Sequence, residues 1–467
     1  MKKNVIIIGA GEAGKMVAND ILNNSRLKEK YDIIGFLDDD PSKDIVNHIP
    51  VIGKINDTRE IVNKYKIDEI IIAIPSAKQE VISKIIQKTY GLDCIVKIVP
   101  GIYEIIKGDV KWNQIREIKP EDLLGREEVG FEIDKISPYF INKKVLITGS
   151  GGSIGSEITR HLLKLPVNQV FGLGHGENSI YNLIEEFKDD ERFRYIIGDI
   201  RDLEKIEYIL NRYKPDIVIH AAAHKHLPLM EDFPEEAVKN NIIGTYNVLN
   251  SSIKNDVKKF LLISTDKAVN PTSVMGATKR IAEKIVMSFN TIQNKTKCLI
   301  VRFGNVLGSR GSVLHTFKKQ IEKGGPITIT HQDIERFFMS IPEAARLVIK
   351  SLTIENENLF ILDMGRSIKI IELAKNLIRM SGYSEKDIEI KIVGLRKGEK
   401  LYEELTIDKS SLIKSNFEKI LISKEKFNYL NKNEIEQLIK EAENVSKQSD
   451  PVTIKEFLKR YVIEYKN

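Results

Sequence analysis

A chain of 467 residues, 42% hydrophobic and 30% charged, is long enough for two or three domains with sizeable cores. This composition excludes a disordered chain, a collagen and a small disulfide scaffold. The net charge of +6 comes from 72 basic and 66 acidic residues without a dense basic block, so no nucleic-acid partner is implied. Cys94 and Cys298 stand far apart, no metal-ligand spacing is present, and sparse thiols suit a reducing compartment. No apolar run approaches the ~20 residues of a membrane helix. The run Val5 to Ile8 is too short for a signal peptide. The sequence therefore reads as cytoplasmic and soluble, without a membrane span.

In chain order, the first predicted element is the strand Val5 to Ile8. It runs into Gly9-Ala10-Gly11-Glu12-Ala13-Gly14 and then the helical spacing of Met16, Val17 and Ile21. A second strand, Ile33 to Leu37, ends in the acidic turn Asp38-Asp39-Asp40. Val51 to Gly53, Ile70 to Ile74 and a last strand near Ile95 to Val99 complete a first Rossmann-like domain over residues 1–109. Residues 110–143, with Pro120, Gly125, Gly130 and Pro138, read as a connector.

The opening phrase then recurs, as Val145 to Thr148 followed by Gly149-Ser150-Gly151-Gly152-Ser153-Ile154-Gly155. Strands are expected at Val170–Leu173, Tyr195–Ile197, Ile217–Ala221, Phe260–Ile263 and Cys298–Phe303. Alternation with helical segments predicts a second doubly wound parallel sheet, so the fold class is α/β with two Rossmann-like domains. This second domain is placed at 144–415. Its irregular, Gly-rich part from about 304 to 415 is expected to form a smaller lobe over the carboxyl ends of the strands. Residues 416–467 read as a helical surface appendage.

Gly149, Gly152 and Gly155, between a strand and a helix, suit a turn that lets backbone approach a pyrophosphate, with Ser150, Ser153 and Ile154 in the same loop. About 20 residues on, where a carboxylate would meet the adenosine ribose, the sequence reads Gly174-His175-Gly176-Glu177. His175 and Glu177 are the candidates there, no Arg is adjacent, and NAD against NADP stays open. Asp199 and Ile200 follow the third strand, where Asp can meet an adenine amine or cap a helix. Ala221, Ala222 and Ala223 are small enough to lie against a flat cofactor. At the end of another strand, Thr265, Asp266 and Lys267 offer a hydroxyl, an acid and, if burial lowers its pKa, a base. His224 and His226 alternate on opposite sides of an extended chain with no third ligand, so no metal is expected. Arg302, Asn305, Arg310, Arg336 and Arg396 lie in irregular regions. The arginine forks could meet a diphosphate or form salt bridges.

Thr148 to Gly155, Gly198-Asp199, Ala221 to Ala223 and Asn241-x-x-Gly244-Thr245 together resemble the extended short-chain dehydrogenases that act on nucleotide sugars. That family normally carries Tyr-x-x-x-Lys; here Met275 replaces the Tyr and Lys279 keeps the Lys. Asp266-Lys267 with Met275 resembles the membrane-associated UDP-N-acetylglucosamine 4,6-dehydratases of the polysaccharide-biosynthesis group. So do Ala221 to Glu231, Ser264 to Lys279, Arg302 to Gly311 and Gly394 to Lys400. The likeness covers about residues 115 to 410. The block of membrane helices usual ahead of that group's domains is absent from this sequence, as expected for either a soluble member or a shortened chain.

The resemblance implies a tightly bound NAD or NADP, regenerated each turnover, a UDP-sugar substrate and a homo-oligomer. It implies oxidation at C4, loss of water across C5 and C6, and return of hydride to C6. Lys267 would be the base at C5, Asp266 the acid at C6, and Asp266 also the candidate base for the C4 hydroxyl. Thr265 would bond the C4 oxygen, Lys279 would hold the nicotinamide ribose, and Met275 would pack without chemistry. Lys225, His226, Asn305, Arg310 and Arg396 would meet the sugar nucleotide. A UDP-N-acetylhexosamine 4-epimerase is the alternative, although it needs no acid and base at C5 and C6. In the first domain, Gly9, Gly11, Gly14 and Asp38-Asp39 could bind a nucleotide. That domain also resembles the N-terminal domain of some sugar acyltransferases, which binds a nucleotide sugar; oligomer contacts or regulation remain open as its purpose.

Overall fold

The computed structural model describes residues 2–77, 79–99, 115–118, 122 and 130–466. Much of the expected connector, at 110–114, 119–121 and 123–129, lies outside the described residues. The chain divides into two compact units. One comprises residues 1–131, 316–328 and 372–391; the other comprises 132–315, 329–371 and 392–467.

The first unit holds a mostly parallel sheet with strands Lys3–Ile8, Tyr31–Leu37, Ile49–Gly53, Glu69–Ile72 and Ile95–Ile98. The strand Ile95–Ile98 is not the last of the sheet, because the two-residue strand Arg116–Glu117 pairs antiparallel with it. The opening strand is apolar at every position from Val5 to Ile8 because both faces of the sheet are covered. Val5 and Ile7 join one core with Val17 and Ile21, while Ile6 and Ile8 join another with Ile82 and Ile86.

The second unit is built on nine strands. Their order is Phe193–Ile197, Gln169–Gly174, Lys144–Thr148, Ile217–His220, Lys259–Thr265, Lys297–Phe303, Leu359–Leu362, Ile420–Ser423 and Leu412–Lys414. The first seven run parallel, Ile420–Ser423 pairs antiparallel with Leu359–Leu362, and Leu412–Lys414 pairs antiparallel with Ile420–Ser423. The order reverses between Lys144–Thr148 and Ile217–His220, as in other doubly wound sheets.

Two strands of this sheet, Leu359–Leu362 and Leu412–Lys414, come from the part beyond Gly304 that reads as irregular, and Ile420–Ser423 comes from the stretch 416–467 that reads as helical. Leu359–Leu362 is short and wholly buried, so it shows no alternation by which sequence could announce it. The C-terminal helices Lys432–Gln448 and Pro451–Tyr461 are not an appendage. Leu438, Ile454, Phe457 and Leu458 are fully buried in the same core as Phe260 and Ile285. Within the expected connector, the helix Ile133–Phe140 buries Ile136 and Phe140 in the second unit.

Candidate active site

The crevice outside the carboxyl ends of the strands, at the point where strand order reverses, is where open α/β sheets bind ligands. Gly149 turns out of the strand Lys144–Thr148 there with φ +68°, a left-handed conformation that side chains disfavour. A Cβ on it would stand 2.7 Å from the Ala222 nitrogen, and one on Gly155 would stand 2.3 Å from the Gly149 carbonyl oxygen. The turn and the helix Ser153–Leu162 therefore close against Ala221 and Ala222 only because these positions are bare. Gly152 caps the helix, and the first turn, with Ser153, Ile154 and Gly155, carries no acidic residue. An N-terminal helix end of this kind attracts a diphosphate. The cradle fits the dinucleotide that the resemblance implies: the first helical turn, Ser153 to Gly155, would hold its diphosphate, whereas Ser150 differs from the expectation, being fully buried with its backbone nitrogen and hydroxyl on the Leu173 carbonyl.

Around this turn, His175 and Glu177 are exposed just beyond the strand Gln169–Gly174. Asp199 is gripped by Arg201 through two prongs, at 2.6 Å and 3.0 Å, which hold its carboxyl below the ordinary range. The Ile200 side chain is buried in the core, so close to Gly244 that a Cβ there would clash with it. Ala223 is exposed, and Ala221 and Ala222 are half-buried.

The strand Lys259–Thr265 ends one residue before Asp266, so three consecutive side chains emerge at its carboxyl end. The Thr265 hydroxyl donates to Asp266 Oδ1 at 2.7 Å, and Lys267 Nζ donates to the same oxygen at 3.0 Å. Lys267 Nζ also meets Glu403 Oε1 at 2.7 Å and Asn305 Oδ1 at 3.2 Å. Asn305 returns its amide N–H groups to Glu403 Oε2 at 2.9 Å and to the Phe337 carbonyl at 3.2 Å. Arg336 Nε stands 3.1 Å from Glu403 Oε1.

Burial alone would lower the Lys267 pKa, as the sequence suggests for a base. The adjacent carboxylates of Asp266 and Glu403 reverse that, and the net direction is upward. Asp266 is equally buried, yet Lys267 holds its carboxyl below the ordinary value. Glu403 goes the other way: burial and the Asp266 charge push it up to about 7.

Lys279, on the helix Val274–Ile292, is buried and donates to the Ile263 carbonyl at 2.8 Å; burial brings its pKa down to about 8. Met275, one turn earlier, is 2% exposed and packs in the core, so it has no proton to exchange. Beneath them His220 is enclosed between the Thr148 hydroxyl at 2.7 Å and the Thr245 hydroxyl at 3.0 Å; burial brings its pKa down to about 3. Asn241 sits in the one-turn π-helix Val238–Ile243 and ties the Thr278 hydroxyl to the His224 backbone. Such π turns are frequent at functional sites.

Lys225 Nζ reaches the Ser309 hydroxyl at 3.3 Å, and its pKa is lowered by burial and then by the Lys267 charge. His226 lies against Gly311, where a Cβ would meet its ring at 2.4 Å. Arg310 is exposed, with its backbone nitrogen 3.1 Å from the Ser153 hydroxyl. Arg396 is also exposed, and its backbone nitrogen donates to Glu399. Two arginines considered for a diphosphate are instead committed to carboxylates. Arg302 is fully buried between Glu283 and Glu425, at 2.6 Å and 2.7 Å. Arg336 is held by Glu399, Glu403 and the Leu401 and Lys400 carbonyls.

Residues 145–425 match the family described as "Polysaccharide biosynthesis protein". The chain belongs to that family. Residues 1–100 match the CoA-binding domain. The chain is similar to the capsular polysaccharide biosynthesis protein CapD of Staphylococcus aureus, 45% identical over 86% of this chain and 68% of the relative. A UDP-N-acetylglucosamine 4,6-dehydratase (inverting) of Campylobacter jejuni is 35% identical over 60% of this chain and 82% of its own length. Among solved structures, Pen from Bacillus thuringiensis is 34% identical, with a TM-score of 0.58 over 63% of this chain and 91% of that one. The fold is that of the extended short-chain dehydrogenases. Among the described residues no helix is long and apolar enough to cross a membrane, and no group of three or more His, Cys, Asp or Glu is disposed to hold a metal ion.

Glu403 is the residue of this family member's site that sequence reasoning missed. It stands in Lys400-Leu401-Tyr402-Glu403-Glu404, within the irregular part expected to form the smaller lobe. Its neighbour Glu404 is exposed, whereas the Glu403 side chain is 3% exposed. The available signal was proximity to Gly394–Lys400, one of the segments that carries the family resemblance.

Proposed function

We propose that this chain is a nucleotide-sugar 4,6-dehydratase. It takes UDP-N-acetylglucosamine to a UDP-4-keto-6-deoxy-N-acetylhexosamine, for surface polysaccharide or glycoprotein glycan synthesis. The observation that carries this reading is the run Thr265, Asp266 and Lys267, interlocked at the carboxyl end of a central strand. An elimination needs both a proton acceptor at carbon and a proton donor to the leaving oxygen, and this run holds both kinds of group. Membership in a family with a named dehydratase relative supports it.

A bound NAD or NADP supplies the hydride acceptor at C4 and the hydride donor at C6. Thr265 hydrogen-bonds the C4 oxygen. Asp266, ionised beside Lys267, takes the C4 hydroxyl proton and later gives that proton to the departing C6 hydroxyl, which leaves as water. The C4 ketone acidifies the C5 proton, which Lys267 takes and returns. Lys279 holds the nicotinamide ribose, Met275 fills the place of a tyrosine without moving a proton, and Lys225 and His226 lie on the substrate side.

Proton NMR of the protein with UDP-N-acetylglucosamine in D2O tests the reading. A new sugar methyl signal with deuterium at C5 is the expected outcome. Conversion to the C4 epimer without deuterium would replace this reading by the epimerase.

A further inference from the structure

The proposed elimination leaves one step without an actor. Lys267 has to be a neutral amine when it meets the C5 proton, yet its surroundings favour the ammonium. Its three N–H donors are matched by three acceptors: Asp266 Oδ1 at 3.0 Å, Asn305 Oδ1 at 3.2 Å and Glu403 Oε1 at 2.7 Å. The Glu403 contact is the shortest of the three.

A second observation concerns Asp266 Oδ2, which is buried and receives no hydrogen bond. A buried carboxylate oxygen without a donor is costly. The Glu403 carboxyl is close enough to the Asp266 carboxyl to share a hydrogen bond with it. A proton on Glu403 would supply the missing donor.

We propose that Glu403 is the positioning residue that accepts the Lys267 proton across their ion pair, turning Lys267 into the base and satisfying Asp266 Oδ2 with the proton gained. This rests on the dehydratase reading above. One proton moves from Lys267 to the Glu403 carboxylate, breaking an N–H bond and forming an O–H bond. Lys267 then takes the C5 proton, returns it to C5 after water has left, and recovers its own proton from Glu403. Nothing is consumed. The exchange converts a buried ion pair into two neutral groups, which desolvation by a bound sugar favours. Asn305 and Arg336 hold Glu403 in place from two sides. A carboxyl pushed up to about 7 can take and release a proton near neutral pH.

The test compares the wild type with Glu403→Gln and Glu403→Asp, using UDP-N-acetylglucosamine in D2O with NAD or NADP. The wild type should incorporate deuterium at C5, with a rate that falls as pH drops below about 7, because protonated Glu403 cannot accept. Glu403→Gln should slow C5 exchange by about 100-fold and lose that acidic limb, while substrate affinity stays within about 3-fold. Formation of reduced cofactor on substrate addition, read by absorbance, should persist. Glu403→Asp should restore part of the exchange together with a shifted limb. Exchange in Glu403→Gln at the wild-type rate and with the wild-type pH profile would overturn the proposal. So would loss of exchange in both variants together with loss of substrate affinity, which marks a packing role. If the wild type itself forms no reduced cofactor and no methyl signal, the dehydratase reading fails instead.

Discussion

The two Gly-rich turns are the same device in different surroundings. In the first unit Gly9 has φ +102°, and a Cβ on Gly14 would stand 2.0 Å from the Gly9 carbonyl oxygen. In the second, Gly149 has φ +68° and Gly155 meets the Gly149 oxygen in the same way, at 2.3 Å. The difference lies in what faces each turn. The Asp38 carboxylate accepts from the Ala10 nitrogen at 2.7 Å and pairs with Lys43, and Glu12 opens the helix. The first helical turn there carries an acidic residue and has a carboxylate on its glycine loop. The turn at Gly149 carries no such group in its first helical turn, and a strand two places away in its sheet ends in Thr265 and Asp266. A glycine turn thus reports a close strand-to-helix crossing, and the chemistry has to be sought in the side chains around it.

The comparison breaks most sharply at Asp266. Asp266→Asn should lower turnover by about 10⁴-fold in a protein that still folds, because the amide can neither take nor give the proton. In Asp38→Ala, by contrast, turnover should stay near the wild-type value. Turnover assays with circular dichroism as the fold control decide between them.

Acid should separate the units next. His220, neutral at a pKa of about 3 in the fold and about 6.5 when unfolded, favours the native state fully above pH 6.5. That stability is lost as pH falls from 6.5 towards 3, on the order of 5 kcal/mol. The first unit has only the exposed His48. Acid titration followed by hydrogen exchange should show the second unit losing protection first through this term, and His220→Gln should flatten the loss.

Gly14→Ala and Gly155→Ala should each cost about 1–3 kcal/mol, since the opposing atom is backbone and cannot yield. Gly155→Ala should in addition weaken dinucleotide binding, measured by titration calorimetry, and Gly14→Ala should leave it unchanged. Equal losses of dinucleotide binding would show that the turns share one role. The smallest effect is the stability change in Asp38→Ala, about 1 kcal/mol by thermal melting, because that carboxylate only ties a turn together.

Most of the parallel sheet was legible because buried strands are continuous apolar runs and their turns are marked by Gly, Asp or Pro. Thr265, Asp266 and Lys267 were legible for the same reason: they directly follow such a run, and strand ends are where sites form. Leu359–Leu362, Leu412–Lys414 and Ile420–Ser423 were not: all three are short, and the hairpin formed by the last two joins the sheet only through Leu359–Leu362, which is distant in sequence. The C-terminal helices looked like a solvated surface because half of their residues are Lys, Glu, Asn or Gln. Their narrow apolar stripes, such as Ile435, Leu438 and Ile439, find the core only after the sheet exists.

The sequence by itself determined the two Rossmann-like repeats, the Gly turns and the order of reactive residues along the chain. These depend on local spacing and on which side chains carry protons. Tertiary structure alone decided which charges meet. It sent Arg302 and Arg336 to carboxylates, turned Ile200 into the core, and brought Glu403 beside Lys267 although 136 positions separate their numbers. Electrostatic coupling depends on distance through a low-dielectric interior, and the distance along a chain does not specify it.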